Sequence, residues 1–341
     1  MKWKSFGASG LKVTELCLGT MTLAGQADEQ VSFAILDAAH AAGIRFMDTA
    51  DCYPIPLALE TVGRTEELIG RWLKARHTRD EWVIATKAYF PMGPTPLQRG
   101  NSRLHIKASV EASLRRLGTD RIDLFLCHGW DPTVPVEETL LALDDLRREG
   151  KIHHAGVSNV RATEVTEGLV AATRLGIPGF QALEPRYNLL FREAEESLFP
   201  LARQFGLGTM VYNPLAGGLL TGKHRPGAPP AEGTRFTMGD SGRVYRGRYW
   251  NEDFLGIAGD LKTQAQETGM SLVTAAVAWT IGNPDVTSAI IGVSKPDQIT
   301  DQIKATETAL PPELKSAMDA VWFDLPRKEP SLDTPRLTEY F

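Results

Sequence analysis

Asp48, Tyr53, Lys87 and His128 are residue types that together can deliver a proton to an oxygen atom. A phenol has an ordinary pKa near 10 and is a poor acid at neutral pH. A nearby ammonium favours the phenolate form, and a carboxylate paired with that ammonium keeps it charged and in place. A histidine in reach can hydrogen-bond a carbonyl oxygen and orient it. Singly, each residue has an ordinary structural explanation: a helix cap, a rim aromatic, a satisfied core histidine. Jointly they suit proton donation to a carbonyl. No side chain supplies hydride, so that chemistry requires a bound reduced cofactor.

The elements that must position these residues follow from short apolar runs separated by helical periodicity. Eight strand candidates are Leu16 to Gly19, Arg45 to Asp48, Trp82 to Thr86, Asp123 to Cys127, His154 to Val157, Gly179 to Ala182, Gly208 to Val211 and Ser288 to Ile291. Between them, stretches such as residues 31–40 and 105–114 carry apolar residues at i, i+3, i+4 and i+7. Gly43, Gly118, Gly150, Gly176 and Gly206 stand shortly before the next strand, where helices end. Strand and helix in regular alternation predict an α/β fold, a (β/α)8 TIM barrel, over an open doubly wound sheet. Chemistry in such a barrel sits at the C-terminal ends of the strands. Asp48 to Tyr53, Thr86-Lys87, Cys127 to Trp130 and Ser158-Asn159 all lie there, so the four chemical residues face one pocket.

Gly7-Ala8-Ser9-Gly10 follows too short a segment and opens no helix, so it is no dinucleotide-binding turn. An N-terminal hairpin plugging the barrel is expected instead. About 75 residues separate the seventh and eighth strands, far more than ordinary connections. That interval predicts a long loop insertion at about 222–250, rich in Gly, Pro and Arg, either a solvated mobile loop or a lid over an anionic ligand. Residues 326–341 are expected to form a C-terminal tail across one barrel end, the whole chain 1–341 being a single domain.

Composition narrows the class. The 341 residues carry 37 Lys+Arg against 42 Asp+Glu, a formal net charge of −5, and are 43% hydrophobic. That excludes disorder and removes the usual electrostatic basis for nucleic-acid binding. No run approaches the roughly 18 apolar residues of a membrane helix, and the start lacks a signal-peptide core. Three cysteines form no CxxC pair, which suits a reducing, cytoplasmic setting and argues against zinc. His153-His154 is no metal pair, since adjacent strand residues point to opposite faces. No metal is expected.

From Gly7 to about Leu310 the chain resembles an aldo-keto reductase. The resemblance is carried by residues 48–53, 84–87, 123–128, 156–159 and 291–294, in order and spacing. Residues 99–106 and 131–139 are similar to the branch that holds potassium-channel beta subunits and bacterial glyceraldehyde 3-phosphate reductases, and residues 53–61 resemble Tas-type reductases. The resemblance implies Tyr53 as general acid, Lys87 and Asp48 as its tuners, His128 orienting the carbonyl, and NADPH extended across the barrel mouth. It further implies Ser158, Asn159 and Gln181 on the nicotinamide carboxamide, with Tyr187 stacked on one ring face. Tyr212, Asn213, Pro214, Leu215, Gly217 and Lys223 would line the pyrophosphate beside Gly19 and Thr20, with Arg235 as a clamp, which favours the lid reading of the long loop. Gly292, Ser294, Lys295, Gln298, Asp301 and Gln302 would hold the adenosine 2′-phosphate end, favouring NADPH over NADH. Two departures loosen that grip: Lys295 stands where many relatives have arginine, and Gln302 where an asparagine usually meets adenine.

An NADPH-dependent carbonyl reductase is therefore the expected function. The alternative is a nucleotide-binding, beta-subunit-like regulator with slow turnover, against which His128 argues because the channel subunits resembled carry asparagine there. Expected substrate walls are Met21, Tyr89, Phe90 and Trp130 with the loop 54–64, favouring a small aldehyde or ketone with an apolar or planar portion. No membrane partner is expected, and a homo-oligomer is compatible with the sequence.

Overall fold

The computed structural model describes residues 1–325; the tail anticipated at 326–341 lies outside the described residues. Strands β1 (Trp3–Ser5) and β2 (Lys12–Thr14) pair antiparallel as a hairpin. Eight parallel strands follow: β3 (Leu16–Gly19), β4 (Phe46–Asp48), β5 (Val83–Ala88), β6 (Ile122–Cys127), β7 (Ile152–Ser158), β8 (Ala182–Glu184), β9 (Gly208–Tyr212) and β10 (Ser288–Gly292). They close into a barrel in the order β10-β3-β4-β5-β6-β7-β8-β9. Helices such as Glu29–Ala41, Arg103–Leu117, Val136–Arg148 and Ala162–Leu175 wrap it. The expected (β/α)8 barrel is the fold observed.

Strand alternation divides the core into two layers. On β6, Leu124 and Leu126 belong to the apolar cluster inside the barrel, while Phe125 and Cys127 belong to the layer beneath the helices. The inner cluster also takes Cys17, Phe46, Ala85, Ala182, Met210 and Ile290, one from each of six further strands. Two residues further along the same faces stand Gly19, Asp48, Lys87, Glu184 and Gly292. Because a strand repeats every two residues, these five continue the inward face above the apolar floor. At the other end the hairpin closes the barrel: Phe6 is fully buried and meets Phe46 edge to face at 5.9 Å. A Cβ on Gly208 would stand 2.4 Å from the Phe6 ring, so the plug needs a glycine there.

Two expectations need correction. The segment at about 222–250 is not all loop: it contains a helical turn, Arg235–Thr237, and a helix, Gly239–Tyr249. Tyr245 and Tyr249, four apart, bury one face of that helix, a spacing obscured by its glycines and arginines. The eighth-in-chain strand begins at Ala182, where Gly179 to Ala182 was expected. Gln181 thus stands at its N-terminal end, its amide donating to Ala155 O at 2.7 Å and its Oε1 facing the Arg147 guanidinium at 3.5 Å.

Candidate active site

Asp48 is 3% exposed and Lys87 fully buried. Lys87 Nζ donates to Asp48 Oδ2 at 2.7 Å, lies 2.6 Å from Oδ1, and donates to Thr49 O at 3.0 Å. Glu184 Oε2 stands 3.5 Å from the same nitrogen. Burial alone would lower the Lys87 pKa, but Asp48 and Glu184 outweigh it and hold the ammonium well above its ordinary value. Burial pushes both carboxyls up, with Lys87 pulling each back; Glu184 rises the further, well above its ordinary value, because Asp48 adds to the push. One ammonium between two carboxyls makes a buried triad in which the near carboxyl takes the short contacts.

Tyr53 is on the loop after β4, with Lys87 Nζ 5.4 Å from its ring centroid. Here the expected electrostatics need revision. Lys87 does lower the phenol, but burial is the larger effect and the net pKa stands well above 10. In a site closed to water, the phenolate loses more hydration than one shared ammonium returns. Lys87 therefore limits the cost of forming phenolate instead of leaving it formed at rest. His128 packs edge to face on Tyr53 at 5.9 Å and on Phe90 at 4.9 Å. Burial, then Lys87, hold its pKa well below the ordinary 6.5, so the imidazole is neutral. Its Nδ1 lies 3.9 Å from Cys52 Sγ.

These groups open into one cavity of about 400 Å³. Its wall includes Gly19, Thr20, Met21, Asp48, Tyr53, Phe90, His128 and Asn159, then Tyr212, Asn213, Pro214, Leu215, Gly217, Lys223 and Arg235. Gly292, Ser294, Gln298, Asp301 and Gln302 complete the far end. Lys87 and Ser158 support it from behind: Ser158 Oγ donates to Glu184 O at 3.0 Å. Asn159, at φ +55°, donates to His128 O at 2.9 Å and accepts from Tyr212 Oη at 2.8 Å, tying three strand ends together. Lys295 is exposed and stands outside the wall. Ser294, expected at the adenosine 2′-phosphate, has its amide donating to Gln298 Oε1 at 2.8 Å.

Besides Lys295, and Lys87 and Ser158 behind the wall, four more expected site residues are not brought to the cavity. Gln181 stands at the opposite end of β8 from it. Tyr187 is buried, stacks on Trp279 at 5.2 Å and bonds Glu195 and Asn283, so it is a packing residue. Tyr89 is 1% exposed and donates to Trp130 O at 3.2 Å behind the wall, and Trp130 packs against the outer core. In their stead the wall holds Glu184, Tyr212's ring, Tyr245 and Arg248. The inward face of β8 was the available signal for Glu184, two residues beyond inward-facing Ala182.

The wall's long side suits an anion. From Asn213 to Gly218 the backbone turns repeatedly at positive φ: Asn213 +69°, Ala216 +49°, Gly217 +69°, Gly218 +98°. Asn213 Oδ1 accepts from the Gly217 amide at 2.7 Å and its Nδ2 donates to Tyr249 Oη at 3.0 Å, which locks the turn. Lys223 has its pKa lowered by partial desolvation, and no carboxylate is recorded against it among the described residues. Arg235 lies over the Tyr245 ring at 5.5 Å, with a buried Nη1 that makes no hydrogen bond. A lysine with no carboxylate recorded against it and an orphaned guanidinium nitrogen beside glycines at positive φ fit a phosphate-bearing cofactor.

Comparison with known proteins agrees with that chemistry. The model of the Aldo/keto reductase family matches residues 15–322. The chain is 36% identical to a probable voltage-gated potassium channel subunit beta of Oryza sativa subsp. japonica, covering 97% of this chain and 99% of that one. It is 33% identical to L-glyceraldehyde 3-phosphate reductase of Escherichia coli (89% and 87% covered) and 32% identical to protein tas of the same organism (94% and 97%).

Proposed function

The chain belongs to the aldo/keto reductase family, and we propose that it is an NADPH-dependent reductase converting an aldehyde or ketone to an alcohol with Tyr53 as general acid. Members generally act as oxidoreductases on carbonyl groups with nicotinamide cofactors. The observation that carries the finer reading is the buried Lys87–Asp48 pair beside Tyr53 in the same cavity as neutral His128.

NADPH, when bound, supplies the hydride. Asn159, Tyr212, the turn 213–218, Lys223 and Arg235 hold and orient it, and the segment at about 222–250 covers its phosphates. His128, neutral, donates a hydrogen bond to the substrate oxygen without adding a cation beside Lys87. Tyr53 passes its hydroxyl proton to that oxygen as negative charge develops there, and Lys87, kept charged by Asp48, stabilises the phenolate left behind. Met21, Phe90, Ile55 and Leu57 give the substrate end an apolar wall, which supports an aldehyde or ketone with an apolar or planar portion. We read the chain as one catalytic domain acting in the cytoplasm; its three cysteines are free and buried, which suits a reducing compartment. No helix among the described residues is long and apolar enough to cross a membrane.

The test is consumption of NADPH, with NADH in parallel, against aromatic aldehydes, pyridoxal, methylglyoxal and keto-sugars. Turnover with NADPH on at least one is expected. Tight nucleotide binding without turnover would instead support a beta-subunit-like regulator, the reading suggested by the name of the rice relative.

A further inference from the structure

Lys87 has two carboxyl neighbours, and only Asp48 has a role in the proposed reduction. Glu184 ends β8, is 4% exposed, and lines the cavity on the side of Asn159 and Tyr212. Asp48 takes the contacts at 2.6 and 2.7 Å, leaving Glu184 Oε2 at 3.5 Å with no hydrogen bond. The groups around it are few. Lys87 comes from β5, Asp48 from β4, Tyr53 from the following loop and the Cys17 thiol from β3. Neighbouring β7 and β9 bring the Ser158 hydroxyl and the Tyr212 phenol. Arg186, two residues on, stands over the Phe191 ring. Among the described residues Lys87 is the only cation recorded against the Glu184 carboxyl, and it already has a carboxylate. A second buried charge of the same sign as Asp48 has no partner of its own.

We propose that Glu184 is a proton-exchanging carboxyl of the active site whose ionisation follows the charge of the nicotinamide beside it, neutral against the reduced ring and ionised against the oxidised, cationic ring. The inference rests on the cofactor assignment above. Its physical content is that the oxidised ring brings the cation that the site otherwise lacks. Burial together with Asp48 pushes the Glu184 carboxyl above its ordinary value, which favours the protonated form from which a proton is released. The balance is simple: binding the oxidised cofactor breaks the Glu184 O–H bond and sends one proton to solvent, while binding the reduced cofactor leaves it intact. By linkage, raising the pH then favours the oxidised cofactor by up to tenfold per pH unit across the interval in which Glu184 is ionised in one complex and protonated in the other.

The experiment measures dissociation constants of NADP⁺ and NADPH by quenching of tryptophan fluorescence between about pH 5 and pH 9, for the intact chain and for Glu184→Gln. Proton release on binding is measured in parallel by calorimetry in buffers of different ionisation enthalpy. The expected result is a ratio of oxidised to reduced affinity that rises at least tenfold with pH in the natural chain and is flat in Glu184→Gln, with proton release on NADP⁺ only. A flat ratio in the natural chain, or a slope that survives the substitution, overturns the proposal. If Glu184→Gln does not fold, proton release by the natural chain decides alone: equal release with both cofactors overturns it. Failure of either cofactor to bind at all would instead strike at the functional reading on which it rests.

Discussion

Replacing Lys87 with methionine removes the buried cation behind the cavity wall while keeping most of the side-chain volume. The ammonium lies 5.4 Å from the Tyr53 ring centroid. With an effective dielectric of about 20, a unit charge at that distance stabilises a phenolate by about 3 kcal/mol, on the order of a hundredfold in rate if the charge is fully developed in the transition state. A second loss accompanies it. Asp48 and Glu184 lose their shared partner, so both favour the protonated form and the remaining field disfavours phenolate less but no longer assists it. We expect kcat for carbonyl reduction to fall at least a hundredfold. Lys223, Arg235 and the turn at 213–218 are untouched, so NADPH affinity should change by less than about threefold. The assay is oxidation of NADPH under saturating substrate, with binding followed separately by fluorescence and folding by the thermal midpoint. A Lys87→Met protein that folds, binds NADPH and turns over within threefold of the natural chain would remove the ammonium from the mechanism.

Asp51 is fully buried, neither carboxylate oxygen makes a hydrogen bond, and burial followed by Glu66 holds its pKa well above the ordinary value. The unfolded chain ionises this group near pH 4, so its stability contribution is complete below that value and is lost as pH climbs toward the folded one. Asp51→Asn should therefore raise the thermal midpoint more at pH 7–8 than at pH 4–5, roughly 2–4 °C per kcal/mol in a protein of this size; a lower midpoint at pH 8 would contradict this. Gly217→Ala would place a Cβ 2.5 Å from Tyr245 Cδ1 on a backbone at φ +69°, costing about 1–3 kcal/mol and weakening NADPH binding in a fluorescence titration; unchanged affinity would exclude this turn from the cofactor site. Lys223→Met and Arg235→Met should each weaken NADPH binding roughly tenfold and flatten its salt dependence, whereas a salt response equal to that of the natural chain would show that these cations do not meet phosphate.

Much of the architecture was legible because it is local. Parallel strands buried on both faces read as short apolar runs, and β3, β4, β6 and β10 fall where those runs lie. Residues directly at the ends of well-marked strands were equally legible: Asp48, Tyr53 and His128 line one cavity, with Lys87 behind it against Asp48. The helix Gly239–Tyr249 was hidden because its glycines and arginines weaken a periodicity that only Tyr245 and Tyr249 carry.

Gln181 and Glu184 mark the boundary between the two kinds of information. Their types suit either assignment, and they stand three residues apart, Gln181 just before β8 and Glu184 at its end. An odd displacement exchanges the inner and outer faces of a strand, so the choice rests on register against β7 and β9, where Ser158 opposes Glu184 and Gly208 opposes Ala182. Likewise Tyr187 and Tyr212 are both aromatic residues near strand ends, but Trp279 and Asn283, about ninety positions further along, claim the first for the core. Apolar pattern and strand-end chemistry are properties of neighbours in the chain. Which acid shares Lys87, and how far burial raises the phenol beside it, depend on closing the ring of eight strands, because only closure brings Asp48, Lys87 and Glu184 within a few ångströms and removes their water.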